Sequence, residues 1–182
     1  MTATEHILIL LSLVIGLAFA HVLDGVARLI QAKQLRWSGL HATWVLILLW
    51  MLTDFWMSVW QLRHEDDWNI WMVLFWVAMT IVMYLASALI VPDHLVDETI
   101  DLATFHEENR RRYLGMLIII ALFGLAANLM LAGFATANWW VISQIACTAL
   151  AAFARPIQLQ WAGTIGSVVT FLTYFVVFMS DF

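Results

Sequence analysis

The sequence predicts an all-α fold: a polytopic integral membrane bundle of six transmembrane helices, with an amphipathic cytoplasmic helix between spans three and four. Three observations predict it. Hydrophobic residues make up 64% of the chain and charged residues 12%, against roughly 45–50% and about 25% in soluble domains. Six apolar stretches recur, most of them near the roughly 20 residues that a bilayer core requires. The basic residues fall almost entirely in alternate connections. The 182 residues read as a single membrane domain.

The first stretch covers roughly residues 7–29. Ala18-Phe19-Ala20 mimics a signal-peptidase site, but Glu5 and His6 stand where a basic region would be. The apolar run is also longer than a signal core, so the segment is expected to stay as an anchor. The second and third stretches cover roughly 41–62 and 69–91. The only substantial loop follows, PDHLVDETIDLATFHEENRRR. Within 93–113, Leu95, Val96, Ile100, Ala103 and Phe105 recur at near-helical spacing. Acids open this segment and arginines close it, which suits a helix dipole. An amphipathic helix is expected there, either separate or continuous with the third span. The fourth, fifth and sixth stretches cover roughly 114–134, 138–154 and 156–180. The fifth is short, and Arg155-Pro156 parts it from the sixth because proline cannot continue a helix. A re-entrant hairpin over 138–160 is the alternative for this region.

Orientation follows from the basic residues. If the spans alternate, Arg28, Lys33, Arg36, Arg110, Arg111, Arg112 and Arg155 share one side, and only Arg63 falls on the other. The basic connections are therefore expected in the cytoplasm and both termini outside, in a bacterial inner membrane. Trp60, Trp68, Trp71, Trp139 and Trp140 would lie near the outer interface, and Trp37, Trp44 and Trp161 near the inner one. Trp50, Trp56 and Trp76 fall deeper and read as packing residues.

Three titratable groups interrupt the first two spans: His21, Asp24 and Asp54. An ionisable group at mid-membrane costs about 2.5–3.5 kcal/mol on insertion scales, so it is expected to pair or to line a hydrated path. His21, Asp24 and Arg28 share one helical face, and Asp24 and Arg28 are spaced as an i,i+4 ion pair. Asp54 shares a face with Ser58 and Gln61 and has no basic residue in its own span. Helix rise places His21 about 4–5 Å inward of the membrane centre and Asp54 about 4 Å outward, a gap that one or two waters would bridge. Asn128, on the fourth span, falls near the depth of Asp54. These residues define a candidate ion or proton pathway: His21, Asp24, Asp54, Ser58, Gln61 and Asn128. For each, a structural role in helix packing is the competing reading. Thr164, Ser167 and Thr170 align on the sixth span, where such stripes commonly join helices. Gly16 with Ala20, and Gly163 with Gly166, offer close helix approach.

Two cofactor readings stand beside transport. Paired histidines ligate b-type haem, but His21 and His41 stand about two turns apart in depth. His94, Glu98 and Asp101 share a face of the amphipathic segment, with Asp97 beside them, and such sets bind divalent metals. An acidic helix start explains them as well. No cofactor is predicted.

Other classes are excluded more simply. The chain has no basic surface for nucleic acid. It lacks the nucleophile-elbow, zinc-protease and phosphate-loop motifs, so it is not expected to be an enzyme. Lys33, the only lysine, lies in a loop, which excludes a retinal-type Schiff base. Cys147 is the sole cysteine, so no intrachain disulfide forms. The leading function is a small ion- or proton-conducting channel or transporter, working as a homo-oligomer because six short spans enclose little volume. The alternatives are an accessory subunit or sensor of a larger membrane complex, and a haem-bearing redox subunit.

Overall fold

A computed structural model of the chain describes residues 3–64, 68–92 and 99–179. Its described residues form α1 (Ala3–Gln31), β1 (Gln34–Arg36), α2 (Gly39–Gln61), α3 (Ile70–Ile90), β2 (Thr99–Asp101), α4 (Leu102–Ala132), α5 (Thr136–Phe153) and α6 (Ile157–Tyr174). A 3-10 turn, Leu62–His64, follows α2, and a π-helical turn, Phe175–Met179, extends α6. Five helices, α1 to α4 and α6, are long and apolar enough to cross a membrane. The chain is an integral membrane protein. The short fifth element, α5, is helical as expected but is not among those five. Asn138, Ser143, Gln144 and Thr148 dilute its apolar character.

Two compact units divide the chain, Met1–His106 and Glu107–Phe182, with the division falling inside α4. In the first unit, α1 buries Leu11, Ile15, Ala18, Val22 and Leu29. Their spacings of three, four and seven residues form the stripe of a helix with one packed face. Leu10, Leu13, Leu17 and Leu23 stay exposed on the rest of the helix, which in a membrane protein is the lipid-facing surface. Ser38 caps α2 by accepting from the His41 N–H at 3.4 Å, and Asn69 caps α3 by accepting from Met72 at 2.9 Å. These short polar side chains satisfy amides that a helix start leaves without intrahelical partners. Trp44, Leu48, Leu52 and Phe55 form the buried line of α2, and Trp76, Met79, Met83 and Ile90 that of α3. Gly25 lets α1 approach Val91 at the end of α3, where any side chain larger than hydrogen would overlap the valine.

Of the amphipathic helix expected over 93–113, residues 93–98 lie outside the described residues, and the rest departs in part from expectation. Residues 99–101 form a strand, not a helix, and pair in parallel with β1, Arg36 opposite Asp101. Residues 102–113 are helical, but as the first turns of the 31-residue α4, so the helix continues into span four. Two anchors explain the strand. Leu29, Ile100 and Leu102 pack together with Ala32 and Leu35, and Arg36 donates to Asp101 at 3.1 Å. A three-residue strand is too short to show a period of its own, so tertiary contacts decide its form.

In the second unit, α5 and α6 pack against each other around Gly163 and Gly166. A Cβ on Gly163 would lie 2.6 Å from the Ala151 nitrogen and the Cys147 carbonyl oxygen, and one on Gly166 would lie 2.7 Å from Cys147 Sγ. The expected close approach at this pair is present. At Gly16 nothing among the described residues lies within 4 Å of where a Cβ would be, so its face is open to them. The loop after α4 turns at Gly133, whose φ of 68° is the left-handed conformation that favours glycine at a helix end.

Tryptophan placement is mixed. Trp37, Trp60, Trp71, Trp139 and Trp161 are exposed, as belt residues should be. Trp44 is instead fully buried, and Trp56, read as a packing residue, is 52% exposed. Depth along a helix does not say which face a residue occupies.

Candidate functional site

His21 is half-buried on α1, and its ring lies 6.1 Å from that of Tyr84 on α3. Its Nε2 is buried and has no hydrogen-bond partner among the described residues. Asp24 lies three residues on, beside the buried Val22 and Gly25, yet its side chain is 62% exposed. It pairs with Arg28 one turn later, the i,i+4 ion pair that the spacing predicts. His21 and Asp24 therefore diverge: one is turned to α3, the other to the open surface.

Asp54 is half-buried on α2, next to Phe55, whose ring packs 6.0 Å from that of Trp76. The Asp54 Oδ1 is buried with no hydrogen-bond partner among the described residues. Ser58, expected to support it, donates instead to the Asp54 backbone carbonyl at 2.9 Å. A hydroxyl in a helix commonly takes this bond to the carbonyl four residues back, which leaves the carboxylate without that proton. Among the described residues, no hydrogen bond or ion pair joins His21 to Asp54. Gln61 ends α2, and its side chain lies outside the described residues. Asn128 is half-buried on α4 in the second unit.

Of the candidate metal residues, Asp101 alone lies among the described residues. His94 and Glu98, with Asp97, lie outside the described residues. Asp101 is engaged elsewhere: its Oδ1 accepts from Ala103 at 2.9 Å and Thr104 at 3.1 Å, and its Oδ2 accepts from Arg36. It is the N-terminal cap of α4. The Thr104 amide foremost, with Ala103 and the Arg36 guanidinium, holds its carboxyl below the usual carboxylate range. Among the described residues, no group of three or more His, Cys, Asp or Glu is placed to hold a metal ion.

Some polar residues outside the expected pathway are buried. His41, considered with His21 for haem, has other ring neighbours: Phe105 at 5.3 Å and His106 at 6.5 Å. Both histidines are almost fully buried, with exposures of 1% and 3%. Arg110 is 4% exposed and pairs with Glu107 at 3.2 Å. Gln160 is 2% exposed on α6, in register with Thr164 and Ser167, a stripe the sequence does show. No comparable sequence signal marks His106, since the β1–β2 pairing sets the start of α4.

No family model, curated protein or solved structure matches this chain. The functional reading therefore rests on the residues themselves.

Proposed function

We propose that this integral membrane protein conducts protons or small cations, with Asp54 as the group that exchanges them. The supporting observation is Asp54 itself: a carboxyl in an apolar helix, with a buried oxygen that no described residue satisfies. A group so costly to bury is retained where it has work to do. His21, Asp24, Ser58 and Gln61 complete the pathway in this reading, through water between them. The reading has α5 as a sixth, shortest crossing, basic connections in the cytoplasm, both termini outside and a bacterial inner membrane. The protein works as a homo-oligomer and as a transporter, not an enzyme.

Flux into proteoliposomes, followed with a pH-sensitive dye under imposed proton and potassium gradients, tests it. Wild type should show flux well above empty vesicles, and Asp54→Asn should return it to that background. Wild-type silence under every gradient, or an unchanged rate in Asp54→Asn, would overturn the proposal.

A second reading has one observation in its favour. Glu107, Glu108, Arg111 and Arg112 are exposed on the first turns of α4, a charged surface suited to docking in a larger membrane complex. Absence of flux together with stoichiometric co-purification of a membrane partner would select this accessory or sensor role.

A further inference from the structure

We propose that the buried polar strip of α5 and α6 binds a dehydrated alkali-metal cation, with Gln144 and Ser167 as its principal ligands. The argument begins with a count of donors. Thr148 donates its proton to the Gln144 carbonyl, Thr164 to the Gln160 carbonyl and Thr170 to the Gly166 carbonyl, each at 2.8–2.9 Å. Every one of these hydroxyl protons is spent inside its own helix. The amide of Gln144 donates to Thr148 at 3.3 Å, and that of Gln160 donates to the Ala154 and Arg155 carbonyls. What remains over is chiefly acceptor: Gln144 Oε1, Gln160 Oε1 and the Ser167 hydroxyl, which keeps its own proton, are buried without a hydrogen-bond partner among the described residues. Their side chains are at least nine-tenths buried, with exposures of 6%, 2% and 0%.

The register places these oxygens on one side of the hairpin. Ser143 Oγ lies 3.4 Å from Thr170 Oγ1, while Ala151 and Cys147 meet Gly163. As one helix rises in number the other falls, so the pair is antiparallel. At about 100° per residue, Gln144 is rotated roughly 60° from the contact line of Ser143, Cys147 and Ala151, and Ser167 by a similar angle from that of Gly163, Gly166 and Thr170. In antiparallel helices, equal rotations in the same sense carry side chains to the same side of the pair. Gln144 and Ser167 then differ by only about 3 Å along the axis. Thr148 and Thr164 flank them, and Gln160 stands at the connection end.

A buried strip whose unpartnered acceptors outnumber the hydroxyl protons left to serve them calls for a positive or donating guest. No carboxylate shares the strip, so a divalent ion would lack a charge partner. Neutral carbonyl and hydroxyl oxygens that replace a hydration shell are the ligands of sodium and potassium. The inference does not depend on Asp54.

Thermal unfolding of the purified full chain in detergent tests it, at constant ionic strength in lithium, sodium, potassium, rubidium or N-methylglucamine chloride. One alkali ion should raise Tm saturably above the N-methylglucamine value. Gln144→Leu should weaken the apparent affinity by about tenfold or more, and Gln144→Glu should strengthen it. Ser167→Ala, a smaller truncation, gives the same readout if Gln144→Leu fails to fold. Asp54→Asn should keep the ion response, which separates this site from the conduction pathway. Equal Tm in all five salts, the result for a strip holding only water, would overturn the inference. So would a wild-type ion response in the folded Gln144 and Ser167 variants.

Discussion

Glycines of identical composition have opposite roles in this chain, and substitution separates them. A Cβ at Gly163 meets backbone atoms of Cys147 and Ala151, which cannot rotate away. Gly163→Ala should therefore force α5 and α6 apart and cost about 1–3 kcal/mol, read as a lower Tm in detergent. Gly16 and Gly124 have nothing among the described residues within 4 Å of where a Cβ would be. Alanine there should stabilise the helix by about 0.5–1 kcal/mol through backbone entropy alone. Destabilisation at Gly16 equal to that at Gly163 would contradict this packing. The Gly163/Gly166 spacing is legible in the sequence, but which small-residue pair meets a neighbour is not: Gly16 with Ala20 has the same look and an open face. Polar side chains follow the same rule. The i,i+4 spacing of Asp24 and Arg28 foretells their ion pair, because one helix contains both partners. The spacing of Asp54 and Ser58 misleads, because the hydroxyl has a closer acceptor in the backbone.

Helical elements are legible here and strands are not. Long apolar runs bounded by Ser38, Asn69, Gly133 and Pro156 mark the helix limits to within a few residues, apart from the early start of α4. The strands β1 and β2 have three residues each, and only their mutual pairing makes them strands. Asp101 sits where strand becomes helix and carries a testable pH dependence. Its carboxyl titrates below the unfolded value in the folded chain, so its ionised form contributes stability that is fully present above about pH 4. That contribution is lost as pH falls through the lowered folded value. The protection factor of the first-turn amides of α4, exchange compared with that of an unstructured chain at the same pH, should therefore fall in acid below that range. Asp101→Ala should lower it already at neutral pH, and should flatten its acid dependence. Unchanged exchange in the variant would mean that the cap does not hold the turn.

At the scale of the whole chain, the segregation of basic residues makes a sidedness prediction. In a Cys147→Ser background, Arg112→Cys should react with a membrane-impermeant maleimide only from the cytoplasmic side. Arg63→Cys should react only from the opposite side. Both native side chains are exposed, so accessibility does not limit the reaction. Labelling of both from one side would overturn the proposed arrangement of crossings. The class of the molecule was readable from composition, since few soluble proteins could tolerate 64% hydrophobic residues. The number of crossings was less so. α5 mixes apolar length with a buried polar face, and hydropathy averages the two faces into one ambiguous value. That buried face is also what the candidate pathway missed: averaging hides Gln144, Thr148 and Gln160 as effectively as it hides the helix.

The parallel pairing of β1 with β2 also sets an order of events during synthesis. Arg36 and Asp101 are 65 residues apart. At roughly 5–20 residues per second, the ribosome delivers the second strand about 3–13 s after the first. Both α2 and α3 emerge in that interval. Until Ile100 and Leu102 arrive, Leu29 and Leu35 lack the cover that they have in the finished chain. The end of α1 is thus sealed only after two further helices have left the ribosome, and the seal closes as α4 begins.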